Sequence, residues 1–154
     1  MRKLFSLNTK VVIIIFVFLD LFCIGLGMGV PFFPILLGSL IGWYGTKRTL
    51  LAQYPIKKSI DRILKFSFLT TLFTFFVMCC IWGLFFPKIF DLSYDFNNFG
   101  IPLILYDAKV SFIGWIILMV VISPFLQLLT TIFSSFITLY IHLTHSENNL
   151  KLKS

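Results

Sequence analysis

Apolar positions fall into three long runs, and the first of these is long enough to fold back on itself. It extends from Val11 to Gly45 and contains one charged residue, Asp20. A single helix over this run would be about 52 Å long, well beyond a hydrocarbon core of about 30 Å. Three glycines and two prolines interrupt it between residues 25 and 34, and proline disfavours helix in the residue before it. The pattern therefore predicts a helical hairpin with spans at about 11–28 and 31–45.

The second of these spans is short for a complete crossing. A helix over 31–45 reaches about 22 Å, so the bilayer must be locally thin or the hairpin must stop below the far headgroups. The pattern leaves open a full crossing and a re-entrant hairpin.

The basic start of the chain also resembles that of a secretory signal peptide. No small-residue cleavage site follows it, so a retained helix is expected.

The two remaining runs predict one helix each. The run from Phe66 to Phe86 has no charge and is the clearest span. The run over about 110–143 would reach about 51 Å as one upright helix, and Ser123-Pro124 predicts a kink within it. The predicted fold class is all-α, an integral membrane four-helix bundle made of two helical hairpins, with residues 1–154 as a single transmembrane domain.

Composition and charge agree with this interpretation. Of the 154 residues, 58% are hydrophobic and 12% are charged, against roughly 25% charged in soluble domains. Of the thirteen lysines and arginines, two, Lys88 and Lys109, lie in the loop at 87–109, and the other eleven lie on the opposite side of the predicted spans. The positive-inside rule then predicts a multi-pass cell-membrane protein with both termini cytoplasmic. Orientation accounts for most of the net charge of +7, and nucleic-acid binding is not expected.

The segment at 50–65 is amphipathic. Its isoleucines fall on one helical face and its charges on the others, which suits either a helix lying on an anionic inner leaflet or a plain loop that sets orientation. The residues expected to form an anionic-lipid surface are Lys57, Lys58, Arg62 and Lys65. The outer loop at 87–109 contains three aspartates, for which solvation is favoured over cation binding.

Asp20 is the charged residue inside a predicted span, near the membrane midplane. A charge there costs about 2.5–3.5 kcal/mol on insertion scales, and such residues are often functional. Two roles are open for Asp20. It could couple to a proton or cation, or, as we favour, hydrogen-bond to serine or threonine hydroxyls and hold helices together.

Glycines recur at intervals of four in the first hairpin, a spacing that lets membrane helices approach closely. We expect them to pack the first helix on the second, rather than to line a pore. The glycines concerned are Gly25, Gly29, Gly38 and Gly42.

Hydroxyl and amide residues follow helical spacing on the third and fourth spans. They could line a polar cavity open to the cytoplasm, but we favour bonds to carbonyls of their own or a neighbouring helix. The candidate cavity residues are Ser67, Thr71, Thr74, Gln127, Thr131, Ser134 and Thr138.

Motifs for catalysis, cofactors or metals were not found in the sequence. The adjacent Cys79 and Cys80 do not form a redox motif, and His142 and His145 lack a third ligand. We therefore expect that the protein is not an enzyme and that it binds no cofactor or metal. The first expectation is a non-catalytic subunit or accessory partner in a larger membrane complex. The alternative is a small homo-oligomeric transporter or channel using Asp20, and a membrane enzyme acting on lipid is the least favoured.

Overall fold

The chain is all-helical, without strands, in the residues that the structure describes. The computed structural model describes Phe5 and residues 7–26, 32–91, 93–96 and 106–151, with 146–151 as backbone only. The elements are α1 (Thr9–Leu26), α2 (Phe32–Leu51), α3 (Ile56–Gly83), a 3₁₀ turn (Phe86–Phe90), α4 (Ala108–Ile117), a π-helical segment (Leu118–Ile122) and α5 (Ser123–Lys151).

Three stretches of helix within the described residues are long and apolar enough to cross a membrane. They are Thr9–Leu26, Ile56–Gly83 and Ala108–His145. These three stretches are consistent with the predicted transmembrane character. The remaining helix, α2, contains no such stretch, because Lys47, Arg48 and three glycines interrupt its apolar residues.

The helix α2 occupies the centre of the helical packing. It packs most extensively against α5 and also contacts α1 and α3. It ends at Leu51 rather than near residue 45, because lysine and arginine are good helix formers and do not terminate a helix. At 20 residues it is about 30 Å long. The predicted helix was shorter because the prediction ended it where the apolar run meets its first charged residues.

The predicted surface segment at 50–65 does not form a helix of its own. Residues 52–55 make a turn, and α3 then runs without a break from Ile56 to Gly83. Pro55 precedes its first residue. No glycine or proline occurs between Ile56 and Trp82, so the amphipathic turns continue directly into the apolar span. The segment is therefore neither a helix lying separately on the leaflet nor a loop.

The irregularity predicted at Ser123-Pro124 is a π-helical segment. The N–H of Ser123 bonds to the carbonyl of Leu118, which is the wider spacing of a π-turn. Pro124 lacks an N–H and its ring crowds the preceding turn, so the backbone widens just before it. The helix remains continuous from α4 into α5.

The helix α1 is attached to the others along one narrow stripe. Its three buried residues are Val12, Phe16 and Asp20, each four positions after the last and so on one face. Phe16 packs in an apolar cluster with Leu37 and Ile41 of α2. This stripe sets the rotation of α1 and turns Asp20 inward.

A candidate polar site inside the bundle

Asp20 lies in the interior between helices, with no exposed surface. Its Oδ2 accepts a hydrogen bond of 2.9 Å from the Thr74 hydroxyl of α3. The same hydroxyl lies 3.2 Å from the Thr70 carbonyl. The side chain of Gln127 from α5 lies beside the carboxyl group. Polar side chains from α1, α3 and α5 therefore meet at one point in a largely apolar bundle.

Several polar atoms near this point have no hydrogen-bond partner. They include Oδ1 of Asp20 and both Oε1 and Nε2 of Gln127. The Gln127 amide lies beside the carboxyl group without a well-formed hydrogen bond to it. The hydroxyl of Ser123, one turn before Gln127 on the same helix, is also buried and unpaired. An unsatisfied buried polar group costs about 1–3 kcal/mol, and a proton on the carboxyl group would supply a donor among these acceptors.

The chemistry available here is that of oxygen ligands. Carboxylate, amide and hydroxyl oxygens are ligands for hard cations. Of these groups, only the carboxylate can take up a proton. Groups of three or more histidine, cysteine or acidic residues suited to a transition metal do not occur among the described residues. We refer to Asp20, Thr74 and Gln127 as the Asp20 cluster.

Most of the residues predicted to line a polar cavity are engaged in helix packing instead. Ser67, Thr131 and Thr138 donate to carbonyls of their own helices at 2.9, 2.7 and 2.8 Å. Ser134 donates to the carbonyl of Ser39 in α2 at 2.7 Å. Thr71 is buried at its hydroxyl but unpaired. The seven residues predicted to line a cavity therefore do not form one site. Of them, only Thr74 and Gln127 lie beside Asp20.

Hydroxyls of α5 also make two hydrogen bonds to α2 that the sequence reasoning missed. Thr130 donates to the carbonyl of Ile35 at 2.9 Å, and Ser135 donates to that of Gly42 at 3.2 Å. With Ser134 they form a ladder along the α2–α5 contact. Each of these residues is adjacent in sequence to a residue of the predicted stripe. A wider polar face on α5 would therefore have included them.

The glycines of α2 explain how this contact becomes so close, and the predicted partner for them was wrong. A Cβ added at Gly38 would lie 2.6 Å from the carbonyl oxygen of Gln127, and one at Gly42 would clash with the carbonyl of Thr131. Both glycines thus face α5 and not α1. A Cβ at Gly25 meets nothing within 4 Å, and Gly29 lies outside the described residues.

The predicted lipid-facing lysines Lys57, Lys58 and Lys65 are exposed on α3. The Arg62 guanidinium lies 3.9 Å from the centre of the Tyr54 ring, and Nζ of Lys58 lies 5.2 Å from the same centre. Arg62 is therefore stacked beside the turn that joins α2 to α3.

Two aspartates of the outer loop have local partners. Asp107 caps α4 by accepting from the Val110 N–H at 2.8 Å. Asp91 accepts from the Ser93 hydroxyl at 2.6 Å and from its N–H at 2.9 Å, and these bonds lower the pKa of Asp91. Both aspartates therefore hold local structure in the loop.

Comparison with family models, with curated proteins and with solved structures gives no match to this chain. The function is therefore inferred from the geometry described above.

Proposed function

We propose that this chain is a multi-pass cell-membrane protein that works as a non-catalytic subunit or accessory partner of another membrane protein. In this proposal all four helical regions lie in the membrane as one bundle, and both termini face the cytoplasm. The eleven basic residues on one side of the spans support that orientation. The lipid bilayer is the immediate environment, and the partner is a second membrane protein.

The observation that carries the proposal is the use of interior hydroxyls for packing. Thr130, Ser134 and Ser135 join α5 to carbonyls of α2, and Gly38 and Gly42 bring the two backbones together. A contact of this kind makes a rigid unit and leaves no room between these helices for a substrate. Rigid helix packing is what a structural subunit requires.

The docking surface in this proposal is the outer face of α1. Of the three candidate spans, α1 is the least covered by the rest of the chain, with 17% of its window buried against 28% in each of the others. Phe18 is 69% exposed on this face. A partner helix seated there would cover the span that the chain itself covers least.

Site-specific photo-cross-linking in native membranes tests this. A photoreactive phenylalanine derivative would replace Phe18 of α1 or, as a matched control, Phe133 of α5, which is 67% exposed. We expect one reproducible adduct with a second protein from position 18 and none from position 133. Adducts with lipid alone, or the same protein adducts from both positions, would contradict the proposal.

A second function is supported by the unpaired atoms of the Asp20 cluster. A homo-oligomeric transporter or channel that carries protons or monovalent cations would use Asp20 as the coupling carboxyl group, with Thr74 and Gln127 beside it. The unpaired Oδ1 of Asp20 and amide of Gln127 favour this, because purely structural polar groups are normally satisfied. Self-adducts from position 18 would also favour it.

Flux measurements separate the second function from the first. The purified protein would be reconstituted in liposomes with a proton, sodium or potassium gradient and a dye that reports the ion. Transport predicts a flux that Asp20→Asn abolishes and that Asp61→Asn, at an exposed position, preserves. If the wild-type protein gives no flux, or Asp20→Asn leaves it unchanged, the transport function is excluded.

A further inference from the structure

A separate pocket of about 920 Å³ lies at the end of the bundle where α2 meets α3. Its walls come from the start of the described chain, the last turns of α2, the turn at 52–54, the first turns of α3 and His142 of α5. The Asp20 cluster contributes no residue to it. The pocket is therefore a second site with chemistry of its own.

The charge of this pocket is positive and is not compensated by its walls. Arg48 and Arg62 line it, and no aspartate or glutamate is among the described residues that do. Arg48 donates to the carbonyl of Leu7 at 2.8 Å and to the hydroxyl of Thr9 at 3.0 Å. Both acceptors are neutral, so they orient the guanidinium without cancelling its charge.

The second arginine is also held in position by a neutral group. The guanidinium of Arg62 stacks on the ring of Tyr54, with 3.9 Å from its central carbon to the ring centroid. Two oriented guanidinium groups form a site suited to phosphate, which arginine binds through paired N–H donors.

The depth and the apolar walls indicate where such a phosphate comes from. Tyr44 lines the pocket, and Trp43 beside it is 42% exposed; aromatic residues of this kind mark the headgroup level of a bilayer. Ile63 and Phe66 also line the pocket, and Leu51 at its edge is 52% exposed. A ligand that fits carries a phosphate and an adjoining hydrocarbon region.

We propose that this pocket binds the phosphate headgroup of an anionic phospholipid, with Arg48 and Arg62 contacting the phosphate and Ile63 and Phe66 contacting the first part of the acyl region. The exposed Lys57, Lys58 and Lys65 raise the local concentration of anionic lipid but do not line the pocket. The proposal adds a defined site to the diffuse basic surface expected from the sequence.

Lipid titration followed by native mass spectrometry tests the proposal. The full-length protein in neutral detergent would be titrated with phosphatidylglycerol or with phosphatidylcholine as the neutral-headgroup control. We expect one phosphatidylglycerol to remain bound at low lipid ratios and phosphatidylcholine not to. Arg48→Gln combined with Arg62→Gln should weaken retention at least tenfold. The matched control, Lys57→Gln with Lys65→Gln, removes the same charge from exposed positions and should change it less than threefold.

Three further comparisons show whether the lipid binds at this pocket. Equal losses in the arginine and lysine pairs would overturn the proposal, because binding would then follow overall charge. Inorganic phosphate at millimolar concentration should fail to displace the lipid; full displacement would assign the pocket to a soluble phosphate compound instead. If the double variant does not fold, Arg62→Gln alone carries the test, since Arg62 is exposed at its helix surface and its loss leaves the Arg48 contacts in place.

Discussion

The hydroxyl of Thr74 donates a 2.9 Å hydrogen bond to Oδ2 of Asp20, and this bond joins α1 to α3 inside the bundle. It connects a residue of the narrow buried stripe on α1 to a residue in the apolar half of α3. Side-chain hydrogen bonds between membrane helices are worth about 0.6 kcal/mol on average and up to about 1.7 kcal/mol. The position of α1 therefore depends on this bond together with the packing of Phe16.

The first prediction concerns this bond directly. Thr74→Val removes the donor while keeping the shape, so we expect it to lower the free energy of unfolding by about 0.5–1.5 kcal/mol. Thr71→Val is the matched control on the same helix. Its hydroxyl is buried without a partner, so its replacement should be neutral or stabilising. Thermal unfolding in detergent measures both, and a greater loss from Thr71→Val would refute the assignment.

The second prediction concerns the close contact of α2 with α5. Gly42→Ala places a methyl group against the carbonyl of Thr131, and overpacking of this kind costs about 1–3 kcal/mol. Gly25→Ala adds the same methyl group where nothing lies within 4 Å. It should be neutral or stabilise by up to about 1 kcal/mol through helix propensity. Comparable unfolding temperatures for the two variants would argue against the α2–α5 contact.

The third prediction concerns the turn between α2 and α3. Gln53 has a φ of 51°, which lies in the left-handed region that costs a residue with a Cβ about 1–2 kcal/mol. Gln53→Gly should therefore raise the free energy of unfolding by about 0.5–1 kcal/mol, as glycine does after a helix end. Gln53→Val should lower it, because branching at Cβ disfavours this region further. Chemical unfolding in mild detergent distinguishes the two signs.

The fourth prediction concerns the start of α4. Asp107→Ala removes the acceptor for the Val110 N–H and should destabilise the protein by about 1 kcal/mol, whereas Asp107→Asn retains a cap. Amide hydrogen exchange over the first turn of α4 is the direct measurement. Exchange that is unchanged in Asp107→Ala would mean that this cap does not hold the helix end.

The membrane character and most of the helical content were predictable because apolar run length alone determines them. Asp20 was identified for the same reason, as a charge within such a run, and Thr74 and Gln127 were on the candidate list. Their meeting point was not predictable. It depends on the rotation and depth of α1, α3 and α5 relative to one another, and helical spacing within each element carries no information on either.

The wrong partner for Gly38 and Gly42 has a related cause. Helices adjacent in sequence were assumed to pack most closely, but α2 makes its closest contact with α5, which is far along the chain. The pocket with Arg48 and Arg62 was missed because it forms only when both ends of the turn at 52–55 and the far end of α5 come together. Single residues in such a pocket resemble ordinary basic residues of a cytoplasmic loop.

The unbroken course of α3 has a mechanical consequence. Arg62, at the proposed phospholipid pocket, and Thr74, at the Asp20 cluster, are twelve positions apart on this one helix, about 18 Å along its axis. With no glycine or proline between them, the two positions belong to one continuous stretch of helix. Any change in the tilt of α3 at the turn would therefore also move the Thr74 hydroxyl relative to Asp20.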